Sequence, residues 1–215
     1  MRILITGFEP FGNDTENASW EAVSRLPEQI SLADAQLVIE RRLLPVEFGR
    51  GPAMLGQAIE SIAPDAVICV GEAGGRCDIT PEMRAQNSAR ASIADNSGHI
   101  ATGEKLDCGP HTLHSRLPNG HIVEALVAGG YPASLSDDAG QYVCNAVFRS
   151  SLTQFAGPAG FIHVPALRSS GVASVGRETD ANMPHEPKTD RHNLDFDDLA
   201  QALEIACRVV AQHLR

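Results

Sequence analysis

Reactive chemistry in this chain would have to come from its five cysteines, its eight histidines and the carboxylates near its Gly-rich turns. A cysteine becomes a nucleophile where its thiolate is favoured, and a helix N-terminus favours it through the helix dipole. Cys144 fits that position, because it follows the turn-prone Ser136-Asp137-Asp138-Ala139-Gly140 and precedes a helical stretch. A purely structural thiol is the competing reading. Cys69, inside an apolar strand, and Cys207, beside an apolar helical stripe, read as core, while Cys77 and Cys108 fall in loops with no evident partner. His163 differs from the other histidines in lying within the apolar run Phe161-Ile162-His163-Val164-Pro165. A polar ring buried there needs a hydrogen-bond partner, and either a satisfied core histidine or a catalytic base meets the requirement. Glu82, in Ile79-Thr80-Pro81-Glu82, is the carboxylate best placed to complete a set, against the alternative of a surface loop glutamate. A Cys-His pair oriented by an acidic group is the general form of thiol acyl transfer.

The elements that must position these groups alternate between strand-like apolar runs and amphipathic helical stretches, the pattern of an α/β domain. Strands are expected at 2–6, 36–44, 66–70, 131–135 and 161–165. Helices are expected after a cap at Asn17 or Ser19, over 48–62 with Met54, Leu55, Ile59 and Ile62 at helical spacing, over 121–129, from near Cys144, and over 195–214. Ala66-Val67-Ile68-Cys69-Val70 reads as a central strand covered on both faces, and sites form beyond the carboxyl ends of such strands. Residues 166–194, rich in Ser, Gly, Pro, Asp and His, read as a long mobile loop.

Composition removes several classes of function. At 215 residues, 43% hydrophobic and 20% charged, the chain has the length and make-up of one globular domain over 1–215. No apolar run approaches the roughly 20 residues that span a bilayer, and the start lacks a signal-peptide pattern, so a cytoplasmic protein is the expectation. A formal charge of −10 argues against nucleic-acid or anionic-membrane partners. The scattered cysteines fit neither a disulfide framework nor a metal knuckle, and the histidines show no metal-binding spacing, so no metal or other cofactor is expected. Gly71-Glu72-Ala73-Gly74-Gly75-Arg76 has the wrong spacing for a dinucleotide or phosphate loop, which disfavours a phosphate-using transferase.

Taken in order, Ile5-Thr6-Gly7-Phe8-Glu9-Pro10-Phe11-Gly12, Asn17-Ala18-Ser19-Trp20-Glu21-Ala22-Val23, the Gly71–Arg76 turn with Ile79–Glu82, Asp95-Asn96, Ala139-Gly140-Gln141-Tyr142-Val143-Cys144-Asn145 and Phe161–Pro165 resemble the pyroglutamyl peptidase I family. The resemblance covers nearly the whole chain. It implies a three-layer α/β fold with a central mixed sheet, of the phosphorylase/hydrolase-like kind. It also implies a cofactor-free, homo-oligomeric cysteine peptidase that removes pyroglutamate from the N-termini of peptides. The family's catalytic residues fall on Cys144, His163 and Glu82, and its substrate-binding positions on Phe8, Phe11, Val46, Glu72, Ile93, Tyr142 and Val143. Phe8 and Phe11 match aromatics that enclose the lactam ring; core packing is the alternative for each. The Cys144 amide is the natural first oxyanion donor, with the backbone at Glu72 as the second.

The chain departs from the family at several points. Met83 follows Glu82 where the family has Arg, and an arginine before Asp-Asn, thought to help the oxyanion, falls on Ser92. Arg90 could substitute only with a shifted reach. A threonine in the pocket wall becomes Val46, and a Gln or small apolar residue becomes Glu72. Ala166-Leu167-Arg168 replaces a segment with Tyr and Pro-Glu-Gln. These changes are expected to make the site more negative and the peptidase weaker or altered, unless Arg76, Arg84 or Arg90 compensates. A non-catalytic member of the fold that binds a small acyl or lactam ligand is the alternative, and the two separate on whether Cys144 has a depressed pKa.

Overall fold

The computed structural model describes residues 1–169 and 194–214. Its main sheet has six strands in the order β2-β3-β1-β4-β10-β5, comprising β1 (Arg2–Phe8), β2 (Gln29–Ser31), β3 (Gln36–Leu44), β4 (Ala66–Ala73), β5 (Thr80–Pro81) and β10 (Ala159–Pro165). The pairs β1/β3, β1/β4 and β4/β10 are parallel, whereas β2 and β5 join antiparallel at the two edges, so the sheet is mixed. Two small antiparallel pairs, β6 (Arg84–Gln86) with β9 (Thr112–His114) and β7 (Ala89–Arg90) with β8 (Thr102–Glu104), lie outside it.

Helices cover both faces, which is why β4 and β10 read as continuous apolar runs instead of alternating ones. One face meets α1 (Ala18–Ser24), α3 (Asn119–Ala128) and α5 (Phe196–His213) through Ile3, Ile5, Ile68, Val70, Ile162 and Val164. The other meets α2 (Arg50–Ile62) and α4 (Val143–Gln154) through Leu4, Phe8, Val67, Cys69 and Phe161. Successive strand residues point to opposite faces. That parity assigns Gly71 and His163 to the α2/α4 face and Glu72 to the α1/α3/α5 face.

Local chemistry sets the ends of the elements. Asn17 caps α1, its Oδ1 accepting the Ser19 N–H at 3.1 Å and the Ser19 hydroxyl at 2.7 Å, while Ser19 Oγ accepts the Phe8 N–H at 2.9 Å. Asp195 caps α5 in a reciprocal arrangement with Asp198. Leu199, Leu203, Ala206 and Val210 face the core from α5, and Cys207 beside them is fully buried, as a structural thiol would be.

Three expectations are corrected. Met54 is 37% exposed, so the buried stripe of α2 runs through Leu55, Ala58, Ile59 and Ile62. Residues 131–135 form no strand: Pro132 has no N–H to give, and the segment touches Ile79 and Ser136 touches Glu82 only as isolated bridges. β4 continues through Gly71 to Ala73, so the first part of the Gly-rich turn is sheet. The mobile loop expected at 166–194 falls mostly outside the described residues. Among the described residues, no helix is long and apolar enough to cross a membrane.

Candidate active site

At the carboxyl ends of β4 and β10, His163 and Gly71 are register partners on one face of the sheet. A Cβ built on Gly71 would sit 2.9 Å from Cys144 Sγ and 2.7 Å from Phe161 Cζ. The thiol therefore rests on the bare backbone of Gly71, beside the strand that carries the histidine. Gly71→Ala is expected to push the sulfur aside and lower kcat/KM about a hundredfold, the cost of roughly 1 Å of misplacement, without unfolding the protein. Peptidase assays alongside circular dichroism check this, and unchanged kcat/KM would refute the placement.

Cys144 is the second residue of α4, where main-chain N–H groups have no partner inside the helix. The Asn145 side chain holds this turn in place. It donates to Gln86 O and Ser88 O, both at 3.0 Å, and accepts the Gln86 N–H at 2.8 Å.

His163 Nδ1 lies 2.7 Å from Glu82 Oε1, and both residues are buried. A carboxylate only accepts, so Nδ1 carries the hydrogen and Nε2 keeps its lone pair. Arg76 Nη1 reaches the same Oε1 and the Thr80 hydroxyl, each at 2.5 Å, and its Nη2 donates to Asp138 O at 2.6 Å. An unpaired carboxylate as deeply buried as Glu82 would cost several kcal/mol, so His163 and Arg76 are the partners that allow it to stay ionised. Burial pushes the Glu82 carboxyl up, but His163, Arg76 and Ser136 together hold it below its usual value. Burial pushes the His163 imidazole below its usual value, Arg76 adds to this and Glu82 opposes it. The resting ring is neutral.

The Cys144 thiol departs from expectation. Burial, followed by the charges of Glu72 and Glu82, pushes it up to about 12, against the smaller help of Arg76 and its own backbone amide. Desolvation outweighs the helix terminus, and the resting group is a thiol. A depressed thiol pKa therefore does not mark this site.

The remaining predicted residues, apart from Glu72, join one apolar cluster. Phe8, Phe11, Val46 and Val143 are buried in it, and Ile93, Tyr142 and Cys144 pack against it half-buried. Phe8 lies 6.5 Å from Phe161 between ring centres, and Phe11 meets Tyr142 edge-on at 5.4 Å. Asp95 and Asn96 pull three loops together. Asp95 Oδ2 accepts the Phe48 N–H at 2.9 Å and its Oδ1 accepts the Ser97 and His99 N–H groups. Asn96 donates to Glu9 Oε1 at 2.7 Å and Pro10 O at 3.0 Å, and its own N–H bonds Val46 O. The Tyr142 hydroxyl donates to Ala94 O at 3.0 Å.

The Glu72 side chain lies on the far face of the sheet, with Oε2 accepting the Ala18 N–H at 2.8 Å, so only its backbone stays toward Cys144. Arg168, which also pairs with Asp14, forms an ion pair with it, and the Glu72 charge still raises the Cys144 thiol. Of the three proposed compensating arginines, Arg76 is in the site. Arg84 donates to Asp137 O, and the Arg90 guanidinium lies over Gly103, with Nη2 2.7 Å from where a Cβ would be. Sequence reasoning missed Phe48, edge-on to Tyr142 at 5.3 Å; an aromatic two residues after Val46 was the available signal. Among the described residues, no three His, Cys, Asp or Glu side chains group to hold a metal ion.

Residues 1–191 match the pyroglutamyl peptidase family. The pyrrolidone-carboxylate peptidase of Escherichia fergusonii is 42% identical over 179 residues, 81% of this chain and 82% of that protein. That of Bacillus amyloliquefaciens is 35% identical over 99% of this chain and 93% of its own. The crystal structure of pyroglutamyl peptidase I from Bacillus amyloliquefaciens superposes with a TM-score of 0.82 at 36% identity, covering 99% of this chain and 98% of the other. A variant pyrrolidone carboxyl peptidase from Pyrococcus furiosus reaches 0.85 at 32% identity, with full coverage of both chains. With the fold, the motifs in register and this level of identity in agreement, the chain belongs to the pyroglutamyl peptidase family of cysteine omega peptidases.

Proposed function

We propose that Cys144, His163 and Glu82 are the catalytic set of a cytoplasmic peptidase, one domain over 1–215, that releases N-terminal pyroglutamate from peptides through an acyl-enzyme. The observation that carries this is the 2.7 Å His163–Glu82 hydrogen bond on the strand beside Gly71, where the Cys144 sulfur rests. A reducing compartment suits a free thiol as nucleophile.

Because the resting pair is a thiol and a neutral imidazole, the nucleophile forms during attack. His163 Nε2 takes the thiol proton as sulfur bonds to the pyroglutamyl carbonyl carbon. The oxygen that gains the negative charge faces the amide of Cys144 and the backbone at Glu72. The imidazolium, steadied by Glu82, passes its proton to the peptide nitrogen as the C–N bond breaks. A water molecule, deprotonated by the same imidazole, then cleaves the thioester, giving pyroglutamate and the free thiol. Phe8 and Phe11 enclose the flat, neutral lactam, and Val46, Ile93, Tyr142 and Val143 close the remaining wall.

The test is release of a fluorescent amine from a pyroglutamyl amide under reducing conditions, with a prolyl amide as control. Turnover of the first alone supports the reading. Binding of pyroglutamate without turnover would replace it with the non-catalytic alternative. Ser92 leaves the oxyanion without an arginine at that position, and we propose that kcat is weaker for it. Ser92 is exposed and can accommodate the longer side chain. Ser92→Arg is expected to raise kcat at least about tenfold with little change in KM, the scale of one oxyanion donor. An unchanged kcat would show that the arginine is dispensable here.

A further inference from the structure

Behind the reacting end of β4, on the face away from Cys144, the Glu72 carboxylate is gripped by Arg168. Arg168 Nη1 donates to Oε2 and Nη2 to Oε1, each at 2.8 Å. Nη2 also reaches Asp14 Oδ2 at 2.6 Å, in the segment that follows Phe11. The Glu72 and Arg168 side chains are 3% and 4% exposed, and Asp14 is 10% exposed. Water cannot replace either member of such a forked pair, so losing one leaves a buried charge uncompensated. Next to Arg168, the Ser169 N–H and hydroxyl both bond Glu16 Oε1, fixing the chain after β10 to the same segment.

Glu72 and Arg168 meet in space although 96 residues separate them in sequence. We infer that Arg168 is a positioning residue: it neutralises Glu72 directly behind the strand end that carries the thiol and, through Asp14, holds the Phe11 loop against that end. This rests on Cys144 being the nucleophile. The charged and titratable groups that act on Cys144 are Glu82 from the segment after β5, Arg76 from the turn after β4 and His163 from β10 on its own side of the sheet, and Glu72 of β4 from the far face. With Arg168 in place the Glu72 charge already raises the Cys144 thiol; without Arg168 that charge is unpaired and opposes formation of the thiolate and the oxyanion more strongly.

The test follows alkylation of Cys144, resolved by mass spectrometry of its peptide, with neutral iodoacetamide and anionic iodoacetate between about pH 7 and 9, together with kcat and KM for a pyroglutamyl amide. Arg168→Gln is expected to slow iodoacetamide about tenfold across the range, equivalent to one pKa unit, and to slow iodoacetate further. It should also lower kcat more than it raises KM. Arg168→Gln combined with Glu72→Gln should restore both alkylation rates and kcat to within about threefold, because the buried charge and its partner go together. Glu72→Gln alone should shift the iodoacetate-to-iodoacetamide ratio the opposite way, which keeps the test open if the Arg168 variant folds poorly. Alkylation rates unmoved in every variant, with only melting temperature or KM changed, would reduce the pair to a structural tie. Absence of turnover in the unaltered protein would instead refute the peptidase reading, and the alkylation ratio would still decide the role of Arg168.

Discussion

Cys144→Ala is expected to reduce amine release from a pyroglutamyl amide to background, with the circular dichroism spectrum and melting temperature close to those of the unaltered protein. The substitution removes one half-buried sulfur that rests on Gly71, which creates little cavity. The two other buried cysteines cannot stand in for it. Cys69 is fully buried with its thiol pushed up to about 12, chiefly by burial, and Cys207 is buried beneath α5 on the other face of the sheet. Cys144→Ser is the stricter comparison, because a hydroxyl with the same neighbours is harder still to deprotonate. Residual turnover above about a thousandth in either variant would place the nucleophile elsewhere.

His163→Gln carries the second large effect: a fall in kcat of about a thousandfold, since an amide can accept a hydrogen bond from the thiol but cannot take its proton. The pH behaviour of the unaltered protein belongs to the same prediction. Burial holds the imidazole below its ordinary 6.5, so kcat/KM should stay level as pH falls through 6.5 and decline only below it. For stability, the unfolded chain binds this proton more readily than the native one. The contribution of neutral His163 is therefore complete above 6.5 and shrinks as pH falls from there toward the native value. Glu82, held below its ordinary 4.5, adds stability that is present above 4.5 and lost as pH falls through its native value. The acid limb of activity and acid destabilisation should both change in Glu82→Gln. An acid limb centred above 6.5 in the unaltered protein would contradict a buried neutral imidazole.

The sheet was legible wherever burial imposes a pattern. Residues 66–70 of β4 and those flanking His163 in β10 are apolar because helices cover both faces, and His163 stood out as the polar side chain within the run 161–165. The strands β5 to β9, of two or three residues each, were not legible, because no periodicity can develop over that length. Residues 131–135 look like a strand by composition, but their hydrogen bonds go singly to Ile79 and its neighbours. Cys144 and Glu82 could be selected by type and position, and the motifs placed them in family order. That Glu82 touches His163 across 81 residues is a property of the fold. The Glu72–Arg168 pair was out of reach for the same reason, since it depends on which face position 72 takes and where the chain runs after β10. The raised thiol was not legible because helix position can be read from sequence, whereas desolvation depends on how segments distant in sequence pack around Cys144.

His163 and the glycine under the sulfur lie in register near the carboxyl ends of two adjacent strands that are covered on both faces. Backbone there is expected to open only when the whole molecule opens, so its amide exchange should report global stability and not local fraying. Heating would then leave no folded but disarmed intermediate: loss of these reacting groups' alignment and loss of the fold become one event. The same coupling runs in the other direction, because a lactam bound against this register would raise the melting temperature of the entire sheet, by an amount that grows with the logarithm of its concentration above Kd.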